Sequence, residues 1–517
     1  MIIQVALVLI ALVFMIVTLV LDYMRPGMIL FSVSVFFLCA GIISPEEILA
    51  GFSNKGVITV ALLFLVSEGV RKSGALSSII KKLLPVKKTT IFKSHLRILP
   101  SVAFISAFLN NTPVVVIFAP MIKQWAERVK LPATKFLIPL SYITILGGMC
   151  TLIGTSTNLV VHGMITSAGY EGFTMFELGK VGIFIALAGL IYLSVFSSRL
   201  LPDRRDSLID NENVNCINIV EAVIGPRFPG VNKTLKDFNF ERHYGAEVKQ
   251  IKRAGDFFSS EELLNIRMKE GDTLVLVVDK SFVATWGESS VFVMLANGQE
   301  DPTEVSPIGS KRKILAITLL GLMIIGATVG ELPVVKEMFP NIQLDMFFFV
   351  SVTTVIMAWA RLFSPRKYTK YISWDILITI ACAFAVSKAM VNSGVSDLIA
   401  SRMIQLSHYF GPHVLLAALF LITNIFTEVI TNNAAAALSF PLALSISSQL
   451  GVSPMPFFVV ICVAASASFA TPIGYQTNLI VQGIGDYKFT DFLRVGLPLN
   501  VITFIISMLL IPLIWPF

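Results

Sequence analysis

The sequence predicts an all-α polytopic membrane protein. Each half holds five transmembrane helices, some of them broken, and one re-entrant hairpin. The halves form an inverted repeat, with a small α/β domain inserted between them. Three observations predict this. The 517 residues are 55% hydrophobic and 14% charged, where a soluble chain carries nearer 25% charge. The mean hydropathy is +0.79, and several apolar runs reach the roughly 20 residues that span a bilayer. Short motifs in the first 202 residues recur after residue 311 at a nearly constant offset.

Ile2 to Leu21 carries no charge and lacks a basic start or a small-residue cleavage site, so it is expected to be a retained helix, not a signal peptide. Residues 1–202 form the first membrane repeat and residues 311–517 the second. Between them, 203–310 turns charged and alternating, as in "AEVKQIKRAG" and "DTLVLVVDK", which marks a small soluble domain with its linkers. The repeat is visible in "LNNTPVVVIFAP" against "ITNNAAAALSFP", and in "TLIGTSTNLVVHG" (151–163) against "TPIGYQTNLIVQG" (471–483), where eight of thirteen positions are identical. Shared greasy composition alone would scatter the offsets. The five cysteines show no metal spacing and no disulfide framework.

Lys and Arg set the orientation. Segment 71–98 holds Arg71, Lys72, Lys81, Lys82, Lys87, Lys88, Lys93 and Arg97 without an acid, and 123–135 is also basic. Both flank "FISAFLNNTPVVVIFAPMI", so both ends of that stretch are expected on the cytoplasmic side, with Asn110 to Thr112 at the tip of a hairpin whose arms run over roughly 98–109 and 113–123. Crossings are expected near 2–22, 27–43, 56–71, 136–166 and 179–200, then 312–330, 343–362, 373–391, 456–483 and 494–516. Five is odd, so the second half lies upside down and its hairpin, near 414–446, enters from outside. Both termini are then outside and the inserted domain inside. Glu68 and Lys388, at equivalent positions, are expected near opposite faces and so unpaired.

Irregular backbone at membrane depth survives only when buried in protein or lining a wet cavity. At each tip one helix ends, offering carbonyls to a cation, and another begins, offering N–H groups to an anion. Pro113 suits the first turn of the second arm. Asn110, Asn111 and Thr112, and Thr431, Asn432 and Asn433, are therefore candidates to hold a cation on one side and an anion on the other. "GGMCTLIGTSTN" and "SFATPIGYQTN" read as paired broken helices, with Thr151, Thr157, Asn158, Thr471, Thr477 and Asn478 near the unwound turns.

On these hairpin and broken-helix motifs, the chain resembles the divalent anion/sodium symporter family of the ion transporter superfamily. The resemblance covers 1–202 and 311–517. It implies a homodimeric, elevator-type secondary transporter of the cell (inner) membrane, with sodium ions as the coupling ions. By position, one sodium site would use Ser106, Asn111 and the backbone near Cys150, and the other Thr427, Asn432 and the backbone near Ala470. The anion would sit between the two tips, near Thr471 and Pro472. The tips depart from the family's Ser-Asn-Thr pattern. Their amides donate well to a compact oxyanion such as sulfate, which makes sulfate the expected substrate and a di- or tricarboxylate the alternative. The stretch "VEAVIGPRFPGVNKTLKDFNFERHYGAEVKQIKRAGD", with "IRMKEGDTLVLVVD", resembles a TrkA C-terminal (RCK-C-like) domain, which implies a module that pairs and takes a small regulatory ligand, nucleotides among them.

"TPIGYQ" faintly resembles a potassium filter but lacks its closing glycine. A ligand-gated channel is thus the reading from a different class. No nucleophile–base arrangement, phosphate loop or nucleic-acid motif is present, so the expectation is a lipid-embedded transporter and not an enzyme.

Overall fold

The structure is a computed structural model that describes residues 2–21, 23–85, 89–203, 218–225, 228–253, 256–259, 263–278, 282, 286, 291–297, 310–339, 341–406 and 411–517. Lys87, Lys88, Cys216, His408 and parts of the 203–310 block lie outside these residues.

Helices dominate, and among the described residues seven are long and apolar enough to cross a membrane, with four shorter apolar helices beside them. The order of elements in the first half returns in the second. Pro26–Cys39 corresponds to Met346–Trp359, Lys55–Lys72 to Trp374–Asn392, and Ala75–Leu83 to Val395–Leu406. Ile91–Ser106 and Asn111–Arg128 correspond to Gly411–Val429 and Asn432–Leu450, and Leu137–Gly148 and Ser156–Ser167 to Met455–Ser466 and Gln476–Gly485. The turn entering the third of these pairs needs a left-handed residue in both halves, and it is Gly74 (φ +70°) in one and Gly394 (φ +78°) in the other.

Two differences from expectation concern helices. The basic stretch after Lys72 contains a helix, Ala75–Leu83, that buries Leu76 and Ile80 and leaves Lys81 in its last turn. The hairpin arms are also longer than expected, at 16, 18, 19 and 19 residues. The apolar run had marked only their inner portions. His95, in the outer part of the first arm, is fully buried and bonded to the Lys135 carbonyl.

Contacts between distant segments sort the helix ends onto two faces. On one, Gly27 N–H donates to Asp375, Lys72 to the Tyr371 hydroxyl, Lys313 to Ser78 and Thr134 to the Pro202 carbonyl. On the other, Asn392 donates to the Ile42 carbonyl, Lys55 pairs with Asp345, Met175 N–H donates to Glu331 and Trp515 to Glu177. Helices of 18 and 19 residues, Lys55–Lys72 and Trp374–Asn392, run between the faces, a span of roughly 27 Å. Both ends of the first hairpin reach the first face, where Arg97 donates to the Lys82 carbonyl and Trp125 to the Pro85 carbonyl. Both ends of the second reach the other face: His413 packs on Phe517, and Gln449 bonds Ser401. Glu68 pairs with Arg71 (2.7 Å) in its own last turn, and Lys388 is exposed.

The inserted region folds as an antiparallel five-stranded sheet, order β3-β2-β4-β1-β5, from β1 Asn218–Ile224, β2 Glu247–Arg253, β3 Asp256–Ser259, β4 Thr273–Val278 and β5 Phe292–Asn297. Val220, Ala222, Ile251, Leu274 and Leu276 share a core with Phe228, Phe238 and Tyr244, separate from the helical core. Val223, on the opposite side of β1, is buried in the helical core instead. Next to it Glu221 lies between Lys252 (2.7 Å) and Lys123 of the Asn111–Arg128 helix (3.5 Å). Thr273 Oγ1 donates to the Gly483 carbonyl at 2.9 Å, and a Cβ on Gly483 would fall 2.2 Å from the Gly271 carbonyl. The sheet therefore rests on two helices, Asn111–Arg128 and Gln476–Gly485.

Candidate functional site

Each half builds the same corner. In the first, Ser106 ends one arm and Asn111 begins the next, and both are fully buried with Ser106 Oγ 2.7 Å from Asn111 Oδ1. In the second, Thr427 Oγ1 lies 2.9 Å from Asn432 Oδ1. One helical turn places each hydroxyl on the tip side of its arm. The unwound segments 149–155 and 467–475 close against these corners. Thr151 Oγ1 donates to the Ala107 carbonyl, and Thr471 Oγ1 to the Glu428 carbonyl at 2.8 Å. Asn158 and Asn478 each donate to the carbonyl seven residues earlier, Thr151 O and Thr471 O, at 2.9 and 3.1 Å, and so brace the two breaks alike.

Oxygen atoms crowd both corners. The two ends of an amide have the same shape, so Asn111 has two orientations. With nitrogen inward it donates to the carbonyls of Thr144 (3.1 Å) and Gly154 (3.3 Å) and to Ser106 Oγ (2.7 Å), and its oxygen accepts from Tyr475 Oη (2.5 Å). With oxygen inward, Asn111 Oδ1, Ser106 Oγ and the same two carbonyls form a cluster of four oxygens with one hydroxyl proton among them. The first arrangement satisfies a dry corner; the second is a donor set for a hard monovalent cation. Gly148 permits it, since a Cβ there would stand 2.5 Å from Asn111 Oδ1. At the other corner the single proton of Thr427 Oγ1 faces both Asn432 Oδ1 and the Ala465 carbonyl (2.5 Å).

The corners meet across the halves. Four helices start here, at Asn111, Asn432, Ser156 and Gln476, and none has a side-chain cap on its N-terminus. Thr112 Oγ1 lies 3.4 Å from Gln476 Oε1. In the mirrored contact, Asn433 Oδ1 accepts from Ser156 and Thr157 at 3.3 Å each. At the middle stands the Tyr475 hydroxyl, 3.1 Å from Thr155 Oγ1 and hydrogen-bonded by Asn111. Four uncapped N-termini, with no lysine or arginine among the residues named, make a positive field from peptide dipoles alone. Thr431 Oγ1, at the second tip, is buried without a hydrogen-bond partner among the described residues. Asn110, at the first, lines a small cavity with Ser67 and Ser156.

A citrate transporter family model matches residues 2–451 and, again, 352–516. The chain belongs to the citrate transporter family. A Synechocystis protein named as an uncharacterised transporter is 30% identical to this citrate-family transporter over 99% of the chain and 97% of its own length. A Chlamydomonas reinhardtii protein named as a putative sulfur deprivation response regulator is 27% identical, covering 92% of the chain and 96% of itself. Sodium/sulfate cotransporter 1 of the same alga is 32% identical over 56% of the chain and 33% of its own length. The family is one of multi-pass membrane transporters, not of enzymes.

In this citrate-family transporter the corners gather Ser106, Asn111, Thr427 and Asn432, and Thr112, Asn433, Thr471 and buried Pro472 stand beside them. Two expected residues are placed otherwise. The Cys150 carbonyl is turned toward Gly179, and the main-chain oxygens at Asn111 come from Thr144 and Gly154. Ala470 offers its N–H, not an oxygen, and gives it to Glu428; the carbonyl at Thr427 is that of Ala465. Sequence reasoning also missed Tyr475, Thr155, Ser156 and Gln476. They fill two of the five unmatched positions inside the thirteen-residue repeat, and their equal offsets were the available signal.

Proposed function

We propose that this transporter couples the inward movement of sodium to that of a small divalent oxyanion, sulfate first, by an elevator-type motion. The convergence of four uncapped helix N-termini on one point carries this reading, because that field holds an anion without a basic side chain. The two oxygen-lined corners supply places for sodium at Ser106–Asn111 and Thr427–Asn432. Sodium there orders the tips and offsets the anion's charge before the loaded elements move. The relatives named as sodium/sulfate cotransporters point the same way. The family's description favours a second reading, a di- or tricarboxylate on the same scaffold.

The sorting of helix ends onto two faces supports an inverted repeat with two re-entrant hairpins, the basic face being cytoplasmic in an inner membrane and both termini outside. The resemblance adds a homodimer. Uptake of labelled sulfate, succinate and citrate into proteoliposomes decides the transport reading. Sulfate uptake is expected to saturate and to need an inward sodium gradient. Uptake indifferent to sodium, or a current without sodium or substrate, removes it.

The inserted sheet is, in the same proposal, a TrkA-C-like regulatory module that travels with the site. Glu221 holds Lys123, and Thr273 holds Gly483, on the two helices that begin at Asn111 and Gln476. A ligand that shifts the sheet reaches both tips through them. With Glu221→Cys and Lys123→Cys joined by a short bifunctional thiol cross-linker, uptake is expected to continue, because sheet and helices move together. A cross-link that stops uptake would mean they part during the cycle and would sink this assignment.

A further inference from the structure

We infer that Tyr475 sets the size of the anion, admitting a tetrahedral oxyanion and excluding longer carboxylates. The inference rests on the tips being the anion site. The phenol is 9% exposed, and its oxygen is reached by Asn111 and Thr155 of the first half, although Tyr475 belongs to the second. The ring's polar end therefore stands against the first tip's amide and leaves a narrow gap beside it for a ligand. All four oxygens of a sulfate hang from one atom and fit such a gap. The carboxylates of a tricarboxylate are held apart by a carbon chain and do not.

The pseudo-symmetry of the halves makes the same point. Corner for corner, Ser106 answers Thr427 and Asn111 answers Asn432, yet where the first half has Thr155 the second has Tyr475. The substitution of a ring for a small hydroxyl falls at the meeting point of the four helix starts. Tyr475 is the last residue before the Gln476–Gly485 helix and extended (φ −132°, ψ 130°), so its ring is aimed by the break and not by a helix. Its hydroxyl borders the place proposed for the anion. Once the anion is bound, the same group, with one proton and two lone pairs, turns donor.

The test uses the full chain in proteoliposomes with an inward sodium gradient and labelled sulfate, succinate and citrate. The wild type is expected to take sulfate, and excess unlabelled citrate is expected not to inhibit it. Tyr475→Thr, which copies Thr155, is expected to raise the succinate-to-sulfate ratio of initial rates by at least about tenfold. Tyr475→Phe, which keeps the ring and loses the hydroxyl, is expected to slow sulfate about tenfold with the ratio unchanged. A ratio for Tyr475→Thr within twofold of wild type overturns the inference and leaves the transport reading standing. Citrate competing with sulfate in the wild type also overturns it, and does so even if the threonine variant fails to fold. Wild-type uptake of all three anions without regard to sodium fails the transport reading and this one together.

Discussion

Asn111→Ala and Asn432→Ala are each expected to abolish sulfate uptake while leaving the protein folded. Asn111 meets Ser106 on the cation side and Tyr475 on the anion side, and Asn432 meets Thr427 in the matching corner, at the start of the second tip's helix. A hydrogen bond to a charged partner contributes about 1.5–3 kcal/mol, so losing one to sodium and one near the anion cuts transport by roughly 100-fold or more. The backbone tolerates the change, because both positions begin helices and alanine favours the helix. Because each corner is built from its own half's hydroxyl and amide, neither variant is expected to be rescued by the other half. Initial uptake rates, with monodispersity on size exclusion as the folding control, decide the matter. Full activity in both variants removes the site assignment.

The second large effect is on stability. Glu428→Ala is expected to lower the unfolding temperature by several degrees. The Glu428 carboxylate accepts the N–H groups of Phe469 (3.0 Å), Ala470 (2.8 Å) and Thr471 (2.8 Å), and Asn500 Nδ2 at 2.7 Å. It thus ties the second break to the last long helix. Removing it strands four donors, each costing about 1–3 kcal/mol if left buried and unpaired. Glu428→Gln retains one acceptor oxygen and is expected to lose less than half as much. A thermal melt of the alanine variant that overlays the wild type would show that water or a neighbour replaces the carboxylate at no cost.

Much of this was legible in the letters. Composition gave the membrane class, and the matched strings around Asn110–Pro120 and Thr431–Pro441 located the paired tips, whose arms the structure shows as helices on either side. The breaks at 149–155 and 467–475 followed from their glycines and Pro472. What sequence could not reach has physical reasons. Main-chain oxygens have no letter of their own, so Thr144, Gly154 and Ala465 could not be read as neighbours of the tips, and Cys150 and Ala470 were carried over by position from the family resemblance. Ala75–Leu83 hid in a basic stretch because charge was read there for orientation, although Leu76 and Ile80 already carried helical spacing. Glu428 is a single acid in an apolar run, and nothing in the letters names its partners. Its four donors come from two segments, one of them some 70 residues away, and only folding brings them together.

The duplicated corners have one more consequence. If the halves exchange roles as the carrier turns over, each facing of the molecule borrows the contacts of the other, and a perfectly matched pair would rest equally well either way. The match fails at Glu428, where the first half has Ala107, and at Tyr475, where it has Thr155. If sodium drives the cycle as proposed, these two mismatches weight the lever on one side, so that an idle carrier is expected to wait facing one compartment until the ion tips it back.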